Sequence, residues 1–161
     1  AGPLRAGLRQ RRLEDRMSDT CQVDFYVLAS ARHSADRLSC RLSMKAWEQG
    51  HRVLVQVRDE AHASALDEMM WDDPPGRFLP HGAGAADAQS PVYIVPAAQP
   101  VPGKRDVLIN LTAEPVPDPD RFKRVLEIVP ADAEQRTASR MKFRAYRELG
   151  LKPSTHTIGK N

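Results

Sequence analysis

Strand-length apolar runs that alternate with capped helical spacings predict a single α/β domain over residues 21–150, a mostly parallel sheet flanked by helices. Two features carry that prediction. Asp24-Phe25-Tyr26-Val27-Leu28 and Arg52-Val53-Leu54-Val55-Gln56-Val57 are rich in strand formers, and each is followed by a helical repeat of crossover length, as parallel pairing requires. Val125-Leu126-Glu127-Ile128-Val129 repeats the pattern late in the chain, where an arginine-rich helix follows at once.

Taken in order, Met17-Ser18-Asp19-Thr20 resembles a natural start. The residues before it offer few large apolar side chains, so 1–20 reads as a disordered N-terminal extension. After strand one, Ser34 is placed to cap a helix running to Gln49, with Ala35, Leu38, Leu42, Lys45 and Ala46 on one face and Gly50 ending it. Asp59 caps a second helix whose Ala61, Ala65, Leu66, Met69 and Met70 are spaced for burial and which ends at Trp71. Asp72-Asp73-Pro74-Pro75-Gly76 is a turn, Arg77 to His81 a short extended piece, and Gly82 to Ser90 a small-residue loop before the strand Val92 to Val95.

Pro96 to Gly103 is a further loop, and Asp106 to Leu111 is the strongest core-strand run of the second half. Pro115, Pro117 and Pro119 hold an extended connector that leads into a helical turn at Asp120 or Arg121. Pro130 ends the last apolar strand. Asp132, with Gln135 three residues on, caps the final helix, and Gly150 and Pro153 stop it. Residues 151–161 are polar and read as a flexible tail.

With 161 residues, 41% hydrophobic and 28% charged, the chain is long enough for one proper core and too short for two domains. No apolar run reaches membrane-spanning length and no secretory signal is seen, so a cytoplasmic protein is expected. Cys21 and Cys40 lack metal-ligand spacing and are expected as free thiols. The five histidines show no zinc pattern, and no metal or cofactor is expected. The net charge of +3 comes from the first 16 residues, which hold five of the 24 basic and two of the 21 acidic residues. The body is neutral, so general basicity is no argument for nucleic-acid binding.

A sheet of this class invites a nucleotide beyond its strand ends. The turn that would hold phosphate is Ala29-Ser30-Ala31-Arg32-His33-Ser34, and no glycine lies between Gly7 and Gly50. Without one the backbone cannot form a phosphate cradle, so the chain has the pattern of a nucleotide-binding fold without a phosphate loop. No nucleophile elbow is present. Asp72 and Asp73 suit a turn better than a catalytic pair, and His81 has no partner in view. The rival reading is a nucleotide-binding or enzymatic domain in which the Gly82–Ser90 loop closes over a ligand.

The final helix is two-faced. Ala138, Met141, Ala145 and Leu149 share one side, expected to be buried, while Arg136, Arg140, Phe143, Arg144 and Arg147 share the other. Arg136, Arg140 and Arg144 follow at i,i+4, which costs a few tenths of a kcal/mol per like-charge pair, so helix stability does not explain them. Guanidinium forks suit carboxylate or phosphate, and Phe143 offers an apolar contact among them. Trp71 and Phe78 flank the Pro-Pro-Gly turn, where large aromatics serve either as core plugs or as anchors for a partner.

In order and spacing these residues resemble the chi subunit of the bacterial DNA polymerase III holoenzyme, a clamp-loader accessory protein, over nearly all of residues 22–150. The resemblance rests on Phe25-Tyr26-Val27-Leu28, Gly50-His51-Arg52-Val53-Leu54-Val55, Leu66-Asp67-Glu68-Met69-Met70-Trp71 followed by Phe78-Leu79-Pro80-His81, and Arg105-Asp106-Val107-Leu108-Ile109-Asn110-Leu111. Val129-Pro130 and Arg144-Ala145-Tyr146-Arg147 complete it.

The resemblance implies a non-enzymatic adaptor. Family members pair with the psi subunit, which tethers them to the clamp loader. They also bind the acidic C-terminal tail of single-stranded DNA-binding protein, which ends in phenylalanine, and so reach single-stranded DNA indirectly. The tail-binding positions fall on Arg140, Phe143 and Arg144, with Val129 lining the apolar pocket and Arg136 nearby. The psi-facing aromatic positions fall on Trp71 and Phe78. Where the family commonly has tyrosine and lysine this chain has Phe143 and Arg144, which keeps ring and charge but loses a hydroxyl.

Overall fold

The computed structural model describes residues 21–97, 99–100 and 103–159. Within it β1 (Gln22–Leu28), α1 (Ala35–Glu48), β2 (Val53–Val57), α2 (Glu60–Asp72) and β3 (His81–Ala83) follow one another. β4 (Val92–Pro96), β5 (Val107–Asn110), β6 (Arg124–Val129), α3 (Ala133–Glu148) and β7 (Ser154–Ile158) complete the chain. The strands form one sheet in the order β3-β4-β2-β5-β6-β1-β7, and every neighbouring pair is parallel. The expected N-terminal extension, residues 1–20, lies outside the described residues.

The local signals act where they were expected. Ser34, Asp59 and Asp132 each accept a hydrogen bond from the backbone N–H three residues on, at 3.3, 2.8 and 2.9 Å, which fixes the starts of the three helices. Gly50 and Gly150, both at φ +87°, take the left-handed turns that end α1 and α3.

Because successive strand residues face opposite ways, the sheet builds two cores. On one face α1 and α2 bury Val53, Val55, Val107, Ile109, Leu126 and Ile128. On the other, α3 and the proline-rich connector cover Val23, Phe25, Leu54, Leu108, Val125 and Val129.

The structure corrects the predicted faces of the last helix. Met141 and Leu149, expected inside, are 69% and 59% exposed, while Lys142 and Tyr146 are buried at 3% and 0%. Phe143, placed on the exposed face, is half-buried with its ring 5.4 Å from that of Phe25.

The reason is Glu127, fully buried in the interior strand β6. Lys142 Nζ lies 2.8 Å from Glu127 Oε1 and donates to the Thr112 carbonyl at 2.5 Å. Tyr146 Oη donates to Glu127 Oε2 at 2.5 Å and accepts from the Val116 N–H at 2.9 Å, and Asn110 Nδ2 donates to the same carboxylate at 2.9 Å. Burial pushes the Glu127 carboxyl upward in pKa, against the pull of Lys142 and the donors around it. Burial, then the facing carboxylate, pushes the Tyr146 hydroxyl upward, so it stays a donor.

The second correction concerns the C-terminus. Residues 154–158, expected as part of a flexible tail, form the edge strand β7 along β1. Polar composition hid this strand, because what holds it is long-range. His156 Nε2 sits 2.9 Å from Asp24 Oδ1 and its ring stacks on Tyr26 at 5.0 Å, while Arg124 holds the other oxygen of Asp24 at 2.7 Å. Burial would raise the Asp24 carboxyl, but these hydrogen bonds outweigh it and hold the group below its ordinary value of 3.8.

Removing one partner of a buried ion pair leaves the other charge uncompensated, at a cost of about 3–5 kcal/mol. Lys142→Met is therefore expected to lower the unfolding free energy by that order in a urea titration. Lys142→Met combined with Glu127→Gln is expected to recover part of the loss.

Candidate functional site

α3 presents its four arginines, Arg136, Arg140, Arg144 and Arg147, to solvent because Lys142 and Tyr146 must face the sheet. Among the described residues none of the four pairs with a carboxylate within 4.0 Å. A groove of about 570 Å³ runs along this face, lined by Arg140, Phe143, Arg144, Arg147 and Glu148. Phe143 is its apolar floor, backed by Phe25, whose ring meets Tyr146 edge-on at 6.1 Å.

Of the residues expected here, the structure brings Arg140, Phe143 and Arg144 together. Val129 is 2% exposed and lies within the core cluster against which Phe143 packs, so it backs the floor without opening onto the groove. Arg136, one turn earlier on the helix, is outside the lining. Sequence reasoning left out Glu148, which puts a carboxylate into the lining and whose charge stood in plain view at the helix end.

The second expected surface is also accessible. Trp71 and Phe78 are 60% and 65% exposed with ring centroids 6.2 Å apart, and Trp71 meets His81 edge-on at 4.8 Å. Neither aromatic plugs the core. His81 places Nδ1 2.7 Å from the Leu79 carbonyl and Nε2 3.1 Å from that of Asp67, so its ring sits between two backbone carbonyls.

Of the predicted loop Gly82–Ser90, Gly82 and Ala83 belong to strand β3, which pairs with β4, and the remainder packs back against that strand. A Cβ on Gly82 would collide with the side chain of Asp87, and buried Arg105 draws the carbonyls of Ala88 and Ser90 inward at 2.6 and 2.5 Å. Cys21 and Cys40 are free and buried, and burial pushes their thiols up to about 11 and about 12. Among the described residues no group of three or more His, Cys, Asp or Glu is placed to hold a metal, and no helix is long and apolar enough to cross a membrane.

The family model described as the DNA polymerase III chi subunit, HolC, matches residues 21–154. The chain belongs to this family. It is 41% identical to the DNA polymerase III subunit chi of Pseudomonas aeruginosa over 138 residues, 85% of this chain and 96% of that one. The Haemophilus influenzae subunit chi is 31% identical over 147 residues, 89% of this chain and all of the other. The Escherichia coli subunit chi is 29% identical over 126 residues, 77% and 86% of the two chains.

In fold the chain resembles parts of helicase-type proteins. T4 UvsW superposes with a TM-score of 0.60 at 7% identity, over 87% of this chain and 42% of the other. Yeast Dbp5, solved bound to RNA and ADP BeF3, gives 0.58 at 11% identity, over 88% and 42%. At such identities the likeness speaks for the architecture alone. This chain therefore shares the architecture of a parallel α/β sheet with these proteins.

Because the exposed arginines of α3 have no carboxylate partner among the described residues, Arg140→Ala and Arg144→Ala are expected to change the unfolding free energy by less than about 0.5 kcal/mol. Relief of like-charge repulsion would offset the lost packing. Chemical denaturation of each variant checks this.

Proposed function

We propose that the protein is a non-catalytic, cytoplasmic accessory subunit that joins the clamp loader, through a psi partner, to the acidic C-terminal tail of single-stranded DNA-binding protein. Contact with single-stranded DNA is then indirect. The observation that carries this reading is the α3 groove, in which arginines without a carboxylate partner among the described residues surround one half-buried phenyl ring in a chain of the chi family.

Its chemistry fits an acidic peptide with an aromatic end. Arg140 and Arg144 offer forked donors to carboxylates, and Arg136 extends the positive charge beyond the lining. Phe143, backed by Phe25 and Val129, accepts the terminal ring by apolar contact, and having no hydroxyl it adds no hydrogen bond. Glu148 repels carboxylates from its end of the groove and so favours one direction of the bound chain. The exposed pair Trp71 and Phe78 supplies the separate apolar anchor for psi, in keeping with the preference for aromatics at interface centres.

Calorimetric titration with a synthetic acidic peptide ending in phenylalanine tests the first contact. An exposed charge-assisted contact is worth about 1 kcal/mol, so Arg140→Ala or Arg144→Ala should weaken binding by roughly fivefold, and Phe143→Ala by at least as much. Added salt should reduce wild-type affinity more than that of the variants. Undiminished binding by both arginine variants would sink the assignment. For the second contact, the doubly substituted Trp71→Ala, Phe78→Ala protein should fail to co-purify with psi while retaining wild-type affinity for the peptide.

A further inference from the structure

The turn after β1 has lost the glycines of a phosphate cradle, yet the space beside it is lined by cations. A pocket of about 200 Å³ is bounded by Arg32, His33, Arg37 and Arg41, with Leu28, Leu38 and Ile158 as an apolar wall. It lies at the C-terminal end of β1, the side of a parallel sheet on which ligands bind.

The charges do not cancel. Arg37 Nη1 and Arg41 Nε share the single carboxylate of Asp73, at 3.1 and 3.6 Å, and the second distance is too long for a hydrogen bond, so Arg41 keeps its donors. The other carboxylate at this end of α1, Asp36, hydrogen-bonds His62 at 2.9 Å and is not part of the pocket lining. Arg32 has no carboxylate within 4.0 Å among the described residues. Three guanidinium groups thus face one ion-paired carboxylate, a surplus that matches a dianion.

His33 is held in place. Its ring lies over Gly159, where an added Cβ would collide with Nε2, so the end of β7 forms a seat for it. The edge strand that sequence reasoning missed therefore closes one side of this pocket through Ile158, and Gly159 just beyond it seats His33.

We propose that this pocket binds a phosphoryl group, with Arg32, His33 and Arg41 as donors and Leu38 and Ile158, backed by the fully buried Leu28, against the attached sugar or base. Side-chain forks here replace the backbone amides that a glycine-rich turn would supply. The site is separate from the α3 groove in its residues and its ligand, and it can hold or fail independently of the peptide reading. Two sources share this chemistry, a free phosphate compound and the backbone of single-stranded DNA.

Two-dimensional amide NMR of the full chain, titrated separately with inorganic phosphate, AMP and a thymidine oligonucleotide, tests the proposal. The expected result is saturable shifts at the amides of residues 30–38 and 158–159, with affinity at least about fivefold weaker in Arg32→Ala, His33→Ala. Arg140→Ala should leave these shifts unchanged. For the oligonucleotide, each arginine removed should lower the salt dependence of binding by about one.

An oligonucleotide affinity well above that of AMP assigns the phosphate to a nucleic-acid backbone, and equal affinities assign it to a free nucleotide. The absence of shifts at these amides with all three probes, or an unchanged affinity in the double variant, would overturn the site.

Discussion

Lys142 reaches from the arginine-rich helix into the sheet and sets its ammonium 2.8 Å from Glu127, a carboxylate with no solvent exposure in the middle of β6. Taking both ions out of water costs several kcal/mol each, and that cost is offset only when the remaining lone pairs and protons are used. Here they are. Tyr146 and Asn110 occupy the second carboxylate oxygen, and the Thr112 carbonyl takes a further proton of the ammonium. The helix can satisfy this arrangement in one rotation about its axis, and that rotation turns Arg136, Arg140, Arg144 and Arg147 to solvent while laying Phe143 on Phe25.

The same network reaches beyond the helix. Through its hydroxyl Tyr146 takes the N–H of Val116, which fastens the proline-rich connector over the face that α3 covers. Asn110 Nδ2 donates to the Glu114 carbonyl at 2.8 Å, which ties the end of β5 to that connector, and the Thr112 hydroxyl steadies Asn110 by donating to its Oδ1 at 2.7 Å. The groove floor is therefore set before any ligand arrives. A fixed floor spares the ordering cost that a mobile one would add on binding.

Most of the sheet was legible because its signals are local. Apolar runs of strand length, and the caps Ser34, Asp59 and Asp132, mark element starts without reference to the rest of the chain. Two errors came from interactions between distant residues. β7 is written in polar, partly β-branched residues and becomes a strand because Asp24, more than a hundred residues earlier, waits for His156. α3 was turned the wrong way because apolar periodicity counts Met141 and Leu149 as core, whereas the buried positions are a lysine and a tyrosine. The available clue was Glu127 itself, since an acid in an apolar interior strand demands a buried cation.

The arginines of the candidate site were readable as a cluster, but not their setting. That Phe143 is the floor and Glu148 part of the rim depends on the rotation fixed by Lys142, which spacing alone does not reveal. The likeness to helicase-type folds speaks for the sheet and leaves function to these side chains.

The proposed peptide site exists only in this rotation of α3. Intermolecular NOEs, measured between an isotope-labelled chain and an unlabelled acidic peptide ending in phenylalanine, test it most directly. The account predicts contacts from the terminal phenyl ring to the ring of Phe143, with the acidic residues nearest Arg140 and Arg144. Contacts from that ring to Trp71 and Phe78 instead, or a bound peptide that leaves the α3 resonances unmoved, would contradict it.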